Sequence, residues 1–225
     1  MKFYANLKSN HTRESFSNYA EILDKELDGQ SVVVFPPFSA FSGKKHKFKQ
    51  GAQNFYPALK GSFTGEITKE MLDEFGIETL LIGHSERRTI LGESDDFLRD
   101  KFEFAKKQGY DVVYCIGESD IVYMNGSTKS FLKSQLKNID LGYDKLTIAY
   151  EPIWAIGSGK SATTEYIKEI LDFLKTLSNA PLLYGGSVNL ENIKAISQIK
   201  NCDGVLVGSA SLNAKEFLNL IKECR

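Results

Sequence analysis

Short apolar runs recur along the whole chain. Several of them, such as Val32-Val33-Val34-Phe35, are continuously apolar rather than alternating with polar residues. This pattern is typical of parallel strands that are covered on both faces. It predicts eight strands, at residues 2–7, 31–35, 48–53, 79–83, 111–115, 146–150, 182–184 and 204–207.

Segments with helical spacing of apolar residues lie between these runs. In residues 164–177, Ile167, Ile170, Leu171 and Leu174 form one stripe, and Thr163 or Thr164 is placed to cap its start. Residues 12–27 and 215–224 show the same spacing. Repeated strand-then-helix units require right-handed parallel crossovers, and eight of them favour a closed barrel over an open doubly wound sheet. The predicted fold is α/β, a single-domain (β/α)₈ barrel over residues 1–225.

Composition narrows the possible partners. Lys plus Arg is 28 against 29 Asp plus Glu, a net charge of -1, which argues against a nucleic-acid surface. No apolar run is long enough to span a membrane, and the N-terminus lacks the design of a signal peptide, so we expect a cytoplasmic protein. Neither the cysteines nor the histidines have metal-ligand spacing, so no metal site is predicted; these residues are Cys115, Cys202, Cys224, His11, His46 and His84.

In a barrel of this kind, the chemistry is expected at the carboxyl ends of the strands. Glu151 follows the apolar run 146–150, where a partly desolvated carboxylate suits a general base. The alternative is a structural carboxylate paired with Lys or Arg. The segment after it runs from a stiff entry at Pro152 to a glycine-bearing tip, as a lid that excludes water would require. This predicted lid comprises Pro152, Ile153, Trp154, Ala155, Ile156, Gly157, Ser158, Gly159 and Lys160.

Two further strand ends carry candidate chemistry. His84 follows the fourth run and can act as an acid, a base or a donor to a carbonyl, and Ser85 and Glu86 are placed to cap a helix behind it. Asn6 and Lys8 follow the first run, and an ammonium group in the barrel mouth would attract an anionic substrate. The alternatives are a histidine with a purely structural role and a solvated surface lysine.

Glycine turns follow the seventh and eighth runs. Tyr184-Gly185-Gly186-Ser187 and Gly208-Ser209 occupy the places where barrels often bind phosphate through backbone N–H groups, although any turn also needs glycine. The chain has no Walker-type or dinucleotide glycine fingerprint. Together these residues indicate a barrel enzyme that abstracts a proton next to the carbonyl of a small phosphorylated compound, and they give no support to a nucleotide cofactor.

Seven motifs, in order along the chain, resemble those of triosephosphate isomerases, which are TIM-barrel enzymes. They are Ala5-Asn6-Leu7-Lys8, Gln53-Asn54 with Phe63-Thr64-Gly65-Glu66, Gly83-His84-Ser85-Glu86-Arg87-Arg88, Cys115-Ile116-Gly117-Glu118, residues 150–160, Tyr184-Gly185-Gly186-Ser187 and Gly208-Ser209. The resemblance implies interconversion of glyceraldehyde 3-phosphate and dihydroxyacetone phosphate, a step of glycolysis and gluconeogenesis, through an enediolate. It also implies a homodimer formed through the loop around Thr64.

The resemblance implies a role for each site residue. Glu151 would carry the proton between carbons, and His84 would polarise the carbonyl as a neutral imidazole. Asn6 and Lys8 would bind substrate and stabilise the enediolate, and Glu86 would orient Lys8. The phosphate would be held by Gly157, Ser187, Gly208 and Ser209.

The chain departs from the family pattern in four places. Leu7 replaces an aromatic residue, Ser158 replaces a threonine of the lid, and Ser209 replaces a glycine, which narrows its backbone freedom. Residues 119–143 form a region that is shorter than the corresponding region of the family, and they lack the arginine that is usual there. Two other functions stay open at this point: another phosphate-binding barrel enzyme of amino-acid synthesis, and a barrel without catalytic activity.

Overall fold

The centre of the molecule is a closed barrel of eight parallel strands. The structure is a computed structural model that describes residues 1–156 and 161–224. Each strand pairs with the next, and the eighth pairs with the first, so that Phe3 lies opposite both Val32 and Val205. The predicted (β/α)₈ fold is confirmed, and each predicted strand end lies within one residue of the observed end. The strands are β1 (Lys2–Asn6), β2 (Ser31–Phe35), β3 (Lys49–Ala52), β4 (Thr79–Ile82), β5 (Asp111–Ile116), β6 (Leu146–Tyr150), β7 (Leu182–Tyr184) and β8 (Gly204–Val207).

Both faces of the barrel strands are buried. In β2, Val33 and Phe35 point into the barrel, whereas Val32 and Val34 pack outward against the helices. This two-sided burial explains why the strands are apolar without alternation. The barrel interior is filled by Tyr4, Val33, Phe35, Leu81, Val113, Cys115, Ala149, Leu183 and Leu206.

Helices surround the barrel and begin at polar caps. The Thr12 side chain accepts a hydrogen bond from the Ser15 N–H, and Thr163 does the same for Tyr166, so both helices start where the sequence predicts. The helices are α1 (Arg13–Glu26), α2 (Lys69–Glu74), α3 (Ser85–Thr89), α4 (Asp95–Lys107), α5 (Asp120–Met124), α6 (Thr128–Gln135), α7 (Thr164–Leu177), α8 (Ile193–Ser197) and α9 (Ala214–Glu223). No helix of the described residues is both long and apolar enough to cross a membrane.

The connection between β2 and β3 departs from regular alternation. Residues 36–48 contain a single turn of 3₁₀ helix, Phe38–Ala40, where the repeated strand-then-helix pattern predicts a full helix. The expectation of a helix after every strand is therefore wrong at this position. The outer layer is interrupted here, and the short 3₁₀ turn packs against α1 in place of a full helix.

Candidate active site

A cavity opens at the carboxyl ends of the strands, with a volume of about 210 Å³. The carboxyl ends of β1, β4 and β6 bring Asn6, Lys8, His84 and Glu151 to the wall of this cavity. The turns after β7 and β8 contribute the remaining polar lining, namely Ser187, Gly208 and Ser209. Glu86 lies beside the cavity. Of the predicted lid, Pro152–Ile156 are described, whereas Gly157, Ser158, Gly159 and Lys160 lie outside the described residues.

Lys8 is held in an unusual backbone conformation. Its φ angle is 50°, in the left-handed region that residues with a Cβ seldom adopt. The Lys8 N–H donates to Asn6 Oδ1 at 3.2 Å, and Gln53 Nε2 donates to the Lys8 carbonyl at 2.8 Å. These side chains fix the turn from both sides, so that the ammonium group points along the cavity wall beside Gly208.

An ion pair orients the side chain of Lys8. Its Nζ lies 2.7 Å from Glu86 Oε1, and the side chains are 26% and 43% exposed respectively. An ion pair this exposed contributes little to the free energy of folding. Its main consequence is positional, since it restricts where the ammonium charge lies.

His84 caps the helix that follows it. Its Nδ1 accepts a hydrogen bond from the Glu86 N–H at 3.3 Å, which makes His84 itself the N-cap of α3. The expectation that Ser85 and Glu86 supply the cap is therefore wrong; the tight turn at Gly83, where φ is 75°, brings the imidazole to the helix start instead. Because Nδ1 is an acceptor here, the ring proton of the neutral form lies on Nε2. This Nε2 lies near Glu151, and both residues line the cavity.

Glu151 is a buried carboxylate with mainly neutral partners. The residue is 1% exposed, and its Oε2 accepts a hydrogen bond from the Ser85 N–H at 3.0 Å. Its Oε1 lies 3.4 Å from His84 Nε2. Within residues 1–156 and 161–224, no Lys or Arg forms an ion pair with it, so the alternative of a lysine- or arginine-paired structural carboxylate finds no support there.

Glycines make room for Glu151. A Cβ on Gly185 would lie 2.9 Å from Glu151 Cγ, and a Cβ on Gly117 would overlap the Glu151 carbonyl oxygen. Neither position can carry a side chain unless the glutamate moves. The glycine after β7 is therefore needed for the placement of the carboxylate, whatever its role toward phosphate.

A buried hydrogen-bond network supports the segment after Glu151. Glu118 Oε1 accepts from the Tyr150 hydroxyl at 2.9 Å, from Trp154 Nε1 at 2.8 Å and from the Tyr166 hydroxyl at 3.3 Å. Burial raises the pKa of Glu118, and these hydrogen bonds oppose the shift. The Trp154 ring stacks on Tyr123 with ring centres 4.3 Å apart. The network fixes the backbone where the predicted lid begins.

Sequence reasoning missed the supporting roles of three residues. Glu118 anchors Trp154, and Gln53 holds the Lys8 turn. Arg88 joins the ends of β4 and β5, since its guanidinium donates to the Gly83 carbonyl at 2.7 Å and to the Cys115 carbonyl at 3.1 Å. Each is a polar residue in a motif at the end of a strand, and this position was the only local indication of a role in the site. Their partners lie too far away in the sequence to be found from spacing.

Neither a thiolate nor a metal is built into this site as described. Burial raises the pKa of the Cys115 thiol, and the neighbouring Glu151 charge raises it further, so the thiol stays protonated. Among residues 1–156 and 161–224, no cluster of three or more His, Cys, Asp or Glu side chains has the geometry to hold a metal ion. The ionisable groups that line the cavity are therefore an amine, an imidazole and a carboxylate.

Comparison with known proteins identifies the family of this chain. The family model described as triosephosphate isomerase matches residues 2–224. The chain belongs to the triosephosphate isomerase family. Its similarity covers the whole barrel, including every strand end that contributes to the cavity.

Individual triosephosphate isomerases are similar over their full length. The protein of that name from Campylobacter concisus is 64% identical, with 98% of each chain covered. The one from Campylobacter curvus is 62% identical, covering 100% of this chain and 99% of that protein. The one from Sulfurovum sp. is 50% identical, again with 98% and 99% covered. This similarity favours neither of the other two functions left open by the sequence.

Of the departures from the family pattern, Ser209 lines the cavity and residues 119–143 do not. Ser209 begins the 3₁₀ turn Ser209–Ser211, whose Ser211 hydroxyl donates to the Gly208 carbonyl at 2.7 Å. The chain thus forms an ordered turn with a serine at this position. Residues 119–143 form the two short helices α5 and α6, away from the cavity wall. Ser158 lies outside the described residues.

Proposed function

We propose that this chain interconverts D-glyceraldehyde 3-phosphate and dihydroxyacetone phosphate, with Glu151 as the base that moves the proton between C1 and C2. Membership of the triosephosphate isomerase family supplies the reaction. The observation that carries the assignment of roles is the position of the Glu151 carboxylate, buried beside the cavity with its Oε1 3.4 Å from His84 Nε2. Base and acid are thus adjacent on one wall of a cavity that suits a three-carbon substrate.

His84 acts on the substrate oxygens. Its Nδ1 accepts the Glu86 N–H, so the neutral ring offers the Nε2 proton to a carbonyl oxygen. Donation of that hydrogen bond withdraws electrons from the carbonyl and acidifies the neighbouring C–H bond. In the enediolate, the oxygens on C1 and C2 both carry negative charge in turn, and the same imidazole can transfer protons between these two oxygens.

Lys8 and Asn6 stabilise the charge that develops. When Glu151 removes the carbon-bound proton, the substrate becomes an enediolate whose oxygens carry negative charge. The Lys8 ammonium, held by Glu86 at 2.7 Å, is already in place and need not reorganise. The Asn6 side chain fixes the Lys8 turn through its Oδ1 and leaves its amide nitrogen available to substrate.

The phosphate group binds at the turns after β7 and β8. Gly208, Ser209 and Ser187 line the cavity, and we assign the phosphate to the backbone N–H groups of the first two with Ser187 beside them. The contact predicted for Gly157 lies outside the described residues. Closure of residues 152–160 over the substrate would exclude water and protect the enediolate from losing phosphate.

An assay of the purified chain tests this proposal. Wild type should interconvert the two triose phosphates in the presence of a metal chelator and without added cofactor. Glu151→Gln and His84→Gln should each lose at least about 100-fold in kcat, since a positioned base or acid contributes at least that much. His11→Gln, at a histidine outside the cavity that contacts the Leu212 carbonyl, is the matched control. A folded wild type without turnover would overturn the proposal.

We also propose a homodimer formed through the loop around Thr64. Residues 61–66 are exposed. The Phe63 side chain is 37% exposed although its ring packs against that of Tyr56, with ring centres 4.2 Å apart. Backbone hydrogen bonds, such as Glu66 N–H to the Phe63 carbonyl at 3.0 Å, give the loop a defined shape that a second subunit can receive. Light scattering should give twice the 25.2 kDa of one chain. Thr64→Arg should lower the mass toward that of one chain, and a wild type of 25.2 kDa would contradict the assignment.

A cytoplasmic location belongs to the same proposal. Cys115, Cys202 and Cys224 are unpaired, as expected for a reducing compartment. Fractionation of the source cells should recover the protein with cytosolic markers, and recovery with secreted proteins would contradict this.

A further inference from the structure

The interrupted helix layer between β2 and β3 leaves a groove on the outside of the barrel. The groove has a volume of about 690 Å³, and its apolar lining includes Phe16 and Ala20 of α1, Phe41 and Phe75. Small-molecule sites typically fall in the range of about 300–1,000 Å³ with mostly apolar walls. The groove shares no lining residue with the isomerase cavity. It is a separate concave surface of a size that takes a small apolar group.

A serine, a histidine and an aspartate line one side of this groove in a hydrogen-bonded row. Ser42 Oγ lies 3.1 Å from His46 Nε2, and His46 Nδ1 lies 2.7 Å from Asp24 Oδ2. All three residues belong to the groove lining. They come from α1 and from the loop that replaces a helix between β2 and β3, which is why their proximity depends on that interruption.

The Asp24 carboxylate sets the hydrogen-bond directions in this row for a neutral His46 ring. Asp24 accepts the Lys47 N–H at its other oxygen, 2.8 Å away, and therefore presents Oδ2 to His46 as an acceptor. In the neutral ring the proton then lies on Nδ1, and Nε2 accepts from the Ser42 hydroxyl. The His46 ring stacks on Phe48 with centres 4.7 Å apart and planes 7° apart, and its side chain is 6% exposed.

The Gln50 side chain holds the backbone of Ser42 in place. Its N–H donates to Gln50 Oε1 at 3.0 Å, and its carbonyl accepts from Gln50 Nε2 at 2.7 Å. The Lys44 N–H donates to Ser42 Oγ at 3.1 Å. This hydrogen bond restricts the position of the hydroxyl oxygen. The nucleophile, the base and the group that orients the base are thus all positioned.

We propose that Ser42, His46 and Asp24 form a second reactive site, which accepts the acyl group of esters with short apolar chains. The order of donors and acceptors is that of the Ser-His-Asp arrangement found on unrelated folds. Oγ of Ser42 bonds to the acyl carbon while His46 Nε2 takes the hydroxyl proton. The bond to the alcohol oxygen breaks, and that oxygen leaves with the proton from Nε2.

Water completes the cycle. A water molecule gives a proton to His46 Nε2 and bonds through its oxygen to the acyl carbon. The bond to Ser42 Oγ breaks, the carboxylic acid leaves, and Oγ regains the proton. The apolar groove beside Ser42, with Phe16 and Phe41, receives the acyl chain.

A fluorophosphonate probe and p-nitrophenyl butyrate test the site. The wild type should take up one phosphonyl group at Ser42, located by mass spectrometry of peptides, and Ser42→Ala should take up none there. His46→Gln should react at least about 100-fold more slowly, since it lacks the base. Asp24→Asn should also slow the reaction. Ser17→Ala, in the same groove but without a hydrogen bond to His46, is the matched control and should react like wild type.

Release of p-nitrophenol from the butyrate ester should follow the same order of variants. Isomerase activity provides the check on folding, because none of these residues lines the isomerase cavity. The proposal is overturned if wild type reacts no faster than Ser42→Ala, if the phosphonyl group is found on another residue, or if His46→Gln reacts as fast as wild type.

Discussion

The Glu151 carboxylate accepts a hydrogen bond from the backbone N–H of Ser85 at 3.0 Å, which ties the end of β6 to the start of α3. The residue beside Ser85 is His84, so this bond fixes the distance between the base and the acid. The proposed chemistry depends on that distance. Changes at the carboxylate are expected to affect catalysis more than binding.

Shortening the Glu151 side chain should lower kcat selectively. Glu151→Asp withdraws the carboxylate by about one C–C bond, and a displacement of that order costs about 100-fold in rate. KM should change little, since the cation and the phosphate turns are intact. Steady-state kinetics measure both constants. Glu165→Asp, an exposed position in the first turn of α7, is the matched control, and a near-normal kcat for Glu151→Asp would exclude Glu151 as the base.

Removing the Lys8 charge should reduce kcat/KM by at least about 100-fold, the usual cost of losing one preorganised donor to a developing oxyanion. Lys8→Met keeps an unbranched side chain that is shorter only by the nitrogen atom, and it removes the ammonium. Glu86→Gln should have a smaller effect, because the ammonium remains but loses its ionic partner at 2.7 Å. Neither change should lower Tm much, since the pair is partly exposed. Equal losses in both variants would contradict the separate roles.

A single methyl group at Gly185 should displace the catalytic carboxylate. Its Cβ would lie 2.9 Å from Glu151 Cγ and 3.4 Å from the Tyr150 carbonyl oxygen. We expect Gly185→Ala to lower kcat by about 10- to 100-fold, as a small misplacement of a catalytic group does. Gly43→Ala is the control, because nothing lies within 4 Å of its Cβ position. Full activity of Gly185→Ala would show that the carboxylate does not need this space.

Glu118 should make the stability of the protein depend on pH. Burial raises its pKa, so between its ordinary pKa and the raised one the folded chain holds a proton that the unfolded chain has lost. Stability contributed by this group therefore falls as pH rises through that window. Glu118→Gln cannot ionise and should lack this dependence.

Urea unfolding of both proteins at pH values from about 4 to 8 measures the effect. The free energy of unfolding of wild type, relative to that of Glu118→Gln, should decrease with rising pH. Tyr150, Trp154 and Tyr166 all donate to Glu118 Oε1, an acceptor that glutamine retains, so the variant should fold. A difference that stays constant with pH would contradict the prediction.

The strands were predictable from the sequence because burial on both faces requires apolar residues at consecutive positions. Val32-Val33-Val34-Phe35 is apolar at every position for that reason. The absence of a full helix between β2 and β3 was not anticipated. The repeated strand-then-helix pattern was taken to hold for residues 36–48 as well. The groove beside Ser42 and His46 follows from this gap and was missed with it.

The site was partly predictable because barrel topology brings all strand ends to one rim. That rule alone places Lys8, His84 and Glu151 on a short list. The details depend on contacts between residues distant in sequence. The positive φ of Lys8 is maintained by Gln53, and the cap role of His84 follows from the turn at Gly83. No local pattern reports such contacts.

Proton transfer through Glu151 is the central claim, and isomerisation in D₂O tests it most directly. Dihydroxyacetone phosphate is converted by the wild type, and the glyceraldehyde 3-phosphate formed is examined by NMR. A base that exchanges its proton with solvent leaves deuterium at C2 of the product, and Glu151→Gln should form essentially no deuterated product. Product that carries only the original hydrogen at C2 would show that the transferred hydrogen never exchanges with solvent on the base, and it would contradict the account.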